Sequence, residues 1–198
     1  WDDSYSKDNF NTDLDGDGAF ICQNSWGDNF GENGFFYISY YDTNIGTHNV
    51  VYTDIENTDN YDHIYQSDLC GWVGQLGYNK DSIYGANVFT AEGNETLKAA
   101  SFYATGKDSQ YELYVVRQFA DESSLEKMIP VASGKLGNAG YYTVDFNQGI
   151  EVDAGERYAV VLHIITPGSV HPMAIEYAAD EATENVDLDD GESYISVN

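Results

Sequence analysis

The chain has 198 residues, 42% of them hydrophobic, which is enough apolar material to bury a core. Its 34 Asp and Glu against 8 Lys and Arg give a net charge of −26, and this charge repels nucleic-acid backbones and anionic lipid heads. We therefore expect no nucleic-acid partner and, because no apolar stretch has the required length, no membrane insertion.

The first part of the chain, 1–56, predicts three strands separated by Gly, Asn and Asp clusters. We expect these strands at 19–23, 35–41 and 49–55, where β-branched and aromatic residues gather. So few strands are marginal as an independent domain. A polar stretch at 57–61 is typical of a linker and predicts a domain boundary.

The second part, 62–198, has the length of one β-sandwich domain. Only 123–128 predicts a helix there, because Ser123 and Glu126 stand at the spacing of a capping box. Short strand patterns recur elsewhere, which indicates an all-β chain that ends in a jelly-roll-like β-sandwich. The predicted strands are 85–91, 96–104, 111–116, 141–146, 158–165, 172–177 and 194–197.

One motif in the first part carries chemical information. Residues 24–27 read Asn-Ser-Trp-Gly, and an aromatic run follows at 34–38. This segment resembles the asparagine segment of papain-like cysteine peptidases, in which an Asn lies beside the catalytic His. The resemblance implies that 1–56 holds the C-terminal strands of such a peptidase domain. It also implies that Asn24 orients the His ring, and that Trp26 shields the hydrogen bond between them from water.

A peptidase of this type also needs a Cys nucleophile and a His base upstream of the Asn. No His precedes Asn24, and the Cys before it, Cys22, lies in an apolar run typical of a buried free thiol. His163 falls in an apolar strand, where a core role is expected. We therefore expect this chain alone to be inert. It would be the C-terminal part of a longer enzyme, with the missing N-terminal peptidase part as its partner.

Five short segments of the second part carry a further resemblance: 64–68, 71–72, 86–89, 95–99 and 193–196. They are similar to the lectin-like domain that follows the peptidase domain in certain bacterial cell-surface proteases. The resemblance implies a secreted or cell-surface parent, although this chain shows no signal peptide, and a sandwich that binds a glycan or cell-wall polymer. A stand-alone adhesion module and a structural spacer are the alternatives.

Trp72, Tyr78 and Tyr84 lie in one loop-rich stretch. Exposed aromatic rings stack on sugar rings, so these three are the predicted ligand-binding residues. Trp72 would equally serve to close the end of the sandwich, and buried tyrosines are common in such folds.

Asp13, Asp15 and Asp17 alternate as in the first half of an EF-hand loop and suggest a Ca²⁺ site. The twelfth position of that pattern needs a bidentate Glu but is Asn24, so a polar hairpin loop is the alternative. Seven acids between 180 and 192 are more typical of a solvated loop than of a cation site. The predicted function requires no cofactor.

Overall fold

The computed structural model describes residues 1–46, 50–53, 55–68, 70–186 and 193–197. Its regular structure is almost entirely antiparallel β, which confirms the expected all-β class. Within this part of the chain the strands are β1 (Ala19–Gln23), β2 (Phe35–Ser39), β3 (Gly74–Leu76), β4 (Ser82–Thr90), β5 (Glu95–Ala104), β6 (Ser109–Val116), β7 (Ile129–Leu136), β8 (Gly140–Val152), β9 (Arg157–Ile165), β10 (Met173–Ile175) and β11 (Ser193–Ser196). Short 3₁₀ helices lie at Lys7–Asn9, Glu122–Lys127 and Glu181–Thr183. No helix of the described residues is long and apolar enough to cross a membrane.

The chain divides into two compact units, Trp1–Glu56 and Asn57–Asn198. In the first unit, β1 and β2 form an antiparallel pair in which Gln23 lies opposite Phe35. The loop between them passes through Gly31 at a φ of +66°, where a side chain would run into the carbonyl of Phe35. Only glycine fits this turn, which brings the two strands together.

The third strand predicted in the first unit, 49–55, is wrong over the residues that are described. Residues 50–53 have an irregular backbone, and Tyr52 and Ile55 are 84% and 88% exposed. Asn49 and Asp54 lie outside the described residues. Val and Tyr favour a pleated strand only when a neighbouring strand pairs with them, and within the described part none pairs with 50–53.

The second unit packs two antiparallel sheets face to face. The larger sheet has the order β11-β4-β9-β6-β7, the smaller one pairs β5 with β8, and a short ladder joins β3 to β10. Between the two sheets, Ile83, Leu113 and Ile164 of the larger sheet meet Phe102 and Phe146 of the smaller one. Burial of these side chains away from water drives the sheets together.

Strand β9 is apolar from Ala159 to Leu162 because both faces of the larger sheet are covered there. Ile164 joins the core between the sheets, whereas Ala159 and Val161 join a second buried cluster with Val116 and Phe119. A strand that is buried on both faces has no need of polar alternation.

Several elements differ from the sequence expectation, which includes neither strand β3 nor the 3₁₀ helix at Glu181–Thr183. The helix expected at 123–128 is a 3₁₀ segment that begins after Asp121, whose Oδ1 accepts the backbone N–H of Ser123 at 2.9 Å. Its capping box is closed by Ser124 and not by Glu126. Strand β7 is also absent from the sequence expectation. It contains Pro130, which is tolerated because β7 is an edge strand.

Candidate functional site

Asn24 lies directly after β1, where the chain turns toward β2. Its backbone N–H donates to the carbonyl of Gly34 at 2.9 Å. Its Oδ1 accepts the backbone N–H of Trp26 at 2.7 Å, and its Nδ2 donates to the carbonyl of Phe30 at 3.4 Å. The loop therefore fixes the side-chain amide in one orientation. An amide oxygen has two lone pairs, so Oδ1 retains capacity for a second donor.

Trp26 stands at the surface beside this amide. Its side chain is 77% exposed and meets the ring of Phe30 edge-on, with centroids 5.3 Å apart. A shallow opening of about 340 Å³ is lined by Asn24, Trp26 and Phe36 together with Gln23 at the end of β1 and Ser25. Asn24 and Trp26 thus lie side by side at an open surface of the first unit.

Asp13, Asp15 and Asp17 are not gathered into a metal site. Nowhere in the described ranges do three or more His, Cys, Asp or Glu side chains lie where they could hold a metal ion. The loop is closed instead by Lys7, whose N–H donates to Asp17 Oδ1 at 2.8 Å and whose Nζ donates to the carbonyl of Leu14 at 3.2 Å. Calcium binding at this loop stays a prediction from sequence.

The acid-rich segment lies partly outside the described residues, which include neither Asp187, Asp189, Asp190 nor Glu192. Of its remaining acids, Asp180 caps the last 3₁₀ helix by accepting the backbone N–H of Ala182 at 3.0 Å. This capping role is structural.

An aromatic surface lies on the outer face of the smaller sheet. Tyr103 and Tyr141 are cross-strand partners on β5 and β8, and their ring centroids are 4.8 Å apart. Trp72 packs beside Tyr103 with a centroid separation of 5.9 Å. Trp72 is 36% exposed and Tyr141 is 59% exposed, so these rings present apolar surface to water. We call this set of three residues the aromatic platform.

Polar groups continue the same face. The next cross-strand pair is Ser101 and Thr143, whose hydroxyls are 2.9 Å apart, and the pair after it sets Ala99 opposite Asp145. The hydroxyl of Tyr61 donates to Asp145 Oδ1 at 3.4 Å. Because strand residues two apart share a face, the aromatic pair, the hydroxyl pair and the carboxylate follow one another in a row.

Trp72, Tyr78 and Tyr84 do not come together as one binding surface. Trp72 joins the aromatic platform, whereas Tyr84 stacks on His163 at the outer face of the larger sheet, with centroids 4.0 Å apart. Tyr78 is 47% exposed and lies in the loop between β3 and β4. Their role in binding stays a prediction. Tyr103 and Tyr141 were not singled out from the sequence because each lies within a predicted strand.

His163 and His63 have side-chain partners in the part of the chain that the structure describes. His163 Nε2 lies 2.9 Å from Ser82 Oγ and its Nδ1 lies 2.7 Å from Glu112 Oε2, so polar groups hold its ring at the outer face of the larger sheet and not in the core between the sheets. His63 Nδ1 lies 2.9 Å from Glu95 Oε1. His48 lies outside the described residues.

The second unit is thus an antiparallel β-sandwich domain with aromatic and hydroxyl groups on an outer face. Residues 64–198 match the family described as "Lectin like domain", and because the match covers more than half of the chain, the chain belongs to this family. Curated protein sequences gave no significant match.

Two solved structures are similar over nearly the whole chain. One is the clostridial cysteine protease Cwp84 after propeptide cleavage, with 26% identity and a TM-score of 0.71 over 98% of this chain and 49% of that chain. The other contains the cysteine protease and lectin-like domains of Cwp84, a surface layer associated protein of Clostridium difficile. It has 26% identity and a TM-score of 0.72 over 100% of this chain and 44% of that chain. The chain therefore spans about half, or less, of the length of these proteins.

Proposed function

We propose that this chain is the C-terminal part of a surface-attached, papain-like cysteine peptidase. Its first unit would complete the peptidase domain, and its lectin-like domain would hold the enzyme on a cell-surface polymer. The observation that carries the proposal is the similarity of both units, in this order, to a structure that contains cysteine protease and lectin-like domains. The segment around Asn24 adds the chemistry that fold similarity alone does not supply.

Asn24 would act on the imidazole of the intact enzyme. In a Cys-His-Asn site the His ring takes the thiol proton with one nitrogen, and the Asn oxygen accepts a hydrogen bond from the other. The Asn24 amide suits this role because its own loop holds it in place, as the bonds to Trp26 and Phe30 indicate. The ring of Trp26 would then cover the bond between Asn24 and the His.

The surface of the first unit supports this assignment. Trp1, Trp26 and Val50 are 85%, 77% and 81% exposed, and Val51 and Tyr52 are 74% and 84% exposed. So many large apolar side chains in water mark a surface that is normally covered. In the proposed enzyme, the rest of the peptidase domain would cover this apolar surface.

The test uses the longer protein that carries the upstream Cys and His. Asn24→Ala should lower kcat/KM for a peptide substrate roughly tenfold or more, because the His loses its orienting group. Gln23→Ala changes the neighbouring amide and should leave kcat/KM unchanged. The proposal fails if Asn24→Ala has full activity, or if the 198-residue chain hydrolyses peptides by itself.

Attachment by the lectin-like domain is tested separately, with the chain as it is. The exposed aromatic platform favours a binding role over a spacer, since aromatic faces are the usual contact surface for sugar rings. The purified chain should sediment with bacterial cell-wall fragments, and soluble wall polysaccharide should compete. If the chain stays in the supernatant with every wall fraction, the domain is a spacer.

A further inference from the structure

Resting on the proposed attachment function, we propose that the outer face of the β5–β8 sheet is the polymer-binding site and that its ligand is a glycan with free amino groups. The aromatic platform of Trp72, Tyr103 and Tyr141 stacks on the faces of the sugar rings. Ser101 and Thr143 bind sugar hydroxyls, and Asp145 binds an ammonium group.

The platform offers adjoining aromatic rings to a ligand. The ring planes of Tyr103 and Tyr141 are tilted by 53° and those of Trp72 and Tyr103 by 58°, so the three rings touch at an angle and are not stacked on one another. A pyranose ring presents a face of C–H groups that packs on such a surface. Tyrosine and tryptophan rings lose little conformational entropy on binding, because each has only two rotatable side-chain bonds.

The polar groups lie at a spacing that suits a chain of sugars. Successive cross-strand pairs on one face are about 7 Å apart, so the tyrosine pair and Asp145 are separated by roughly 13 Å. This distance exceeds the size of a single sugar ring and favours an oligomer that runs along the strands. Asp145 is exposed and lies opposite the small side chain of Ala99. The bond from Tyr61 is to Oδ1, so Oδ2 is the oxygen that would bind the ammonium group.

The charge on this side of the domain selects the ligand class. Tyr103, Tyr141 and Thr143 also border a cleft of about 1270 Å³. Four acidic residues line this cleft, namely Asp62, Asp68, Glu95 and Glu176. The basic residues along it are Lys98 and His63. Together with the net charge of −26, this surface repels anionic polymers and attracts cationic ones. A polymer with free amines therefore fits better than a uronic acid or phosphate polymer.

The experiment measures binding of three oligosaccharide types of equal length to the intact 198-residue chain by calorimetry. These are glucosamine oligomers, their N-acetylated counterparts and galacturonate oligomers. We expect the glucosamine oligomers to bind most tightly and the galacturonate oligomers not to bind. Trp72→Ala and Tyr141→Ala should each weaken glucosamine binding at least tenfold. Asp145→Asn should abolish the preference for free over acetylated amines, because it removes the carboxylate but keeps the shape.

Ile129→Ala is the matched control, because Ile129 is an apolar side chain about as exposed as Trp72 and lies on β7, at the edge of the larger sheet. Its binding should equal that of the unchanged chain. Tyr141→Phe keeps the ring and should retain most of the affinity, which separates loss of stacking from loss of folding.

The outcomes distinguish this site from the attachment function. If the chain sediments with wall fragments and the Trp72 and Tyr141 variants do so equally well, the platform is not the site, although attachment stands. If acetylated or acidic oligomers bind best, the assignment of an amino-sugar ligand is overturned. If neither wall fragments nor any oligomer binds, both proposals fail.

Discussion

Arg117 and Glu156 form a bidentate ion pair between the end of β6 and the start of β9. Nε lies 2.9 Å from Oε1, and Nη2 lies 2.6 Å from Oε2. The side chain of Glu156 is only 6% exposed, and it also accepts the backbone N–H groups of Gln118 and Asp153. The bonds from Arg117, more than these backbone bonds, lower the pKa of Glu156 to about 2, although burial opposes the shift.

This ion pair predicts an acid-sensitive contribution to stability. Because the folded-state pKa of Glu156 lies below its ordinary value of 4.5, the carboxylate stabilises the fold above pH 4.5, and this stabilisation is lost as the pH falls toward 2. At neutral pH, Glu156→Gln should lower the free energy of unfolding by roughly 2 to 3 kcal/mol, allowing for the partly exposed Arg117. Urea unfolding of both proteins between neutral pH and pH 2 should show the difference shrinking with acidity.

Glu126→Gln is the control for this measurement, because Glu126 is exposed on a 3₁₀ helix. It should unfold like the unchanged chain at every pH. If the loss of unfolding free energy in Glu156→Gln does not vary with pH, then the stabilisation by Glu156 is not electrostatic.

His163 predicts a second stability effect, on the outer face of the larger sheet. Its ring is parallel to that of Tyr84 within 2°, and its two nitrogens bond Ser82 and Glu112. His163→Phe keeps a ring on Tyr84 but removes both hydrogen bonds, so we expect the free energy of unfolding to fall by about 1 to 3 kcal/mol. The bond from His163, followed by that from Tyr114, lowers the pKa of Glu112, and NMR titration should show this pKa rising in the variant.

His171→Phe gives the comparison for this substitution, since His171 is exposed in a loop. It should change the unfolding free energy little.

The distances around His163 resemble those of a Ser-His-acid triad. Ser82, however, lies within β4, whose backbone pairs with β9, and not on a turn that offers N–H groups to an oxyanion. If the chain hydrolyses p-nitrophenyl acetate and Ser82→Ala abolishes this hydrolysis, then the role of Ser82 and His163 is not purely structural.

Most strands of the second unit could be predicted from sequence because they bury one or both faces, whereas β3 and β7 could not. In β8, the apolar residues Tyr142, Val144 and Phe146 alternate with polar ones, which predicts that they share one side, and these three side chains do pack against the core between the sheets. The alternation of a strand shows which side chains share a face. It does not show which strand lies alongside, so the pairing of Tyr103 with Tyr141 could not be derived.

For the same reason, contacts between residues that are far apart in the sequence could not be predicted. Ser82 and His163 are 81 residues apart, and no local spacing marks them as neighbours. At β5 the register shifts between Leu97 and Ala99, so even a correct strand assignment would not fix which residues lie opposite each other. The error at 49–55 has a different cause, because β-propensity describes fit to a neighbouring strand and cannot supply that strand.

A side chain at position 77 is predicted to destabilise the fold by steric collision alone. A Cβ added there would collide with the carbonyl oxygen of Val170 and lie 2.6 Å from Cα of His171. Because both atoms belong to the backbone, neither moves aside cheaply, and Gly77→Ala should lower stability by about 1 to 3 kcal/mol. Thermal unfolding tests this expectation against Gly137→Ala, where no atom lies within 4 Å. Equal unfolding temperatures for the two variants would show that 168–172 does not pack on Gly77.

Cys70 is predicted to react more slowly than an ordinary thiol. Both cysteines of the chain are free, and Cys22, expected to be buried, is only half-buried. Desolvation raises the pKa of the Cys70 thiol, and the nearby carboxylate of Glu176 adds to the shift. Since the thiolate is the reactive form, Cys70 should react with iodoacetamide more slowly than glutathione at mildly alkaline pH, despite its exposure.

Glu176→Gln should raise the rate of Cys70 alkylation, because it removes a negative charge that disfavours the thiolate while keeping an acceptor for the backbone N–H of Cys70. Peptide mass spectrometry after timed alkylation measures Cys70 and Cys22 separately. Cys22 is the internal reference, since its rate should be the same in both proteins. Desolvation would remain when the charge is gone, so the variant should still react more slowly than glutathione. If Glu176→Gln leaves the rate unchanged, the carboxylate of Glu176 does not act on the thiol, and desolvation with the smaller effect of Asp180 explains the slow reaction.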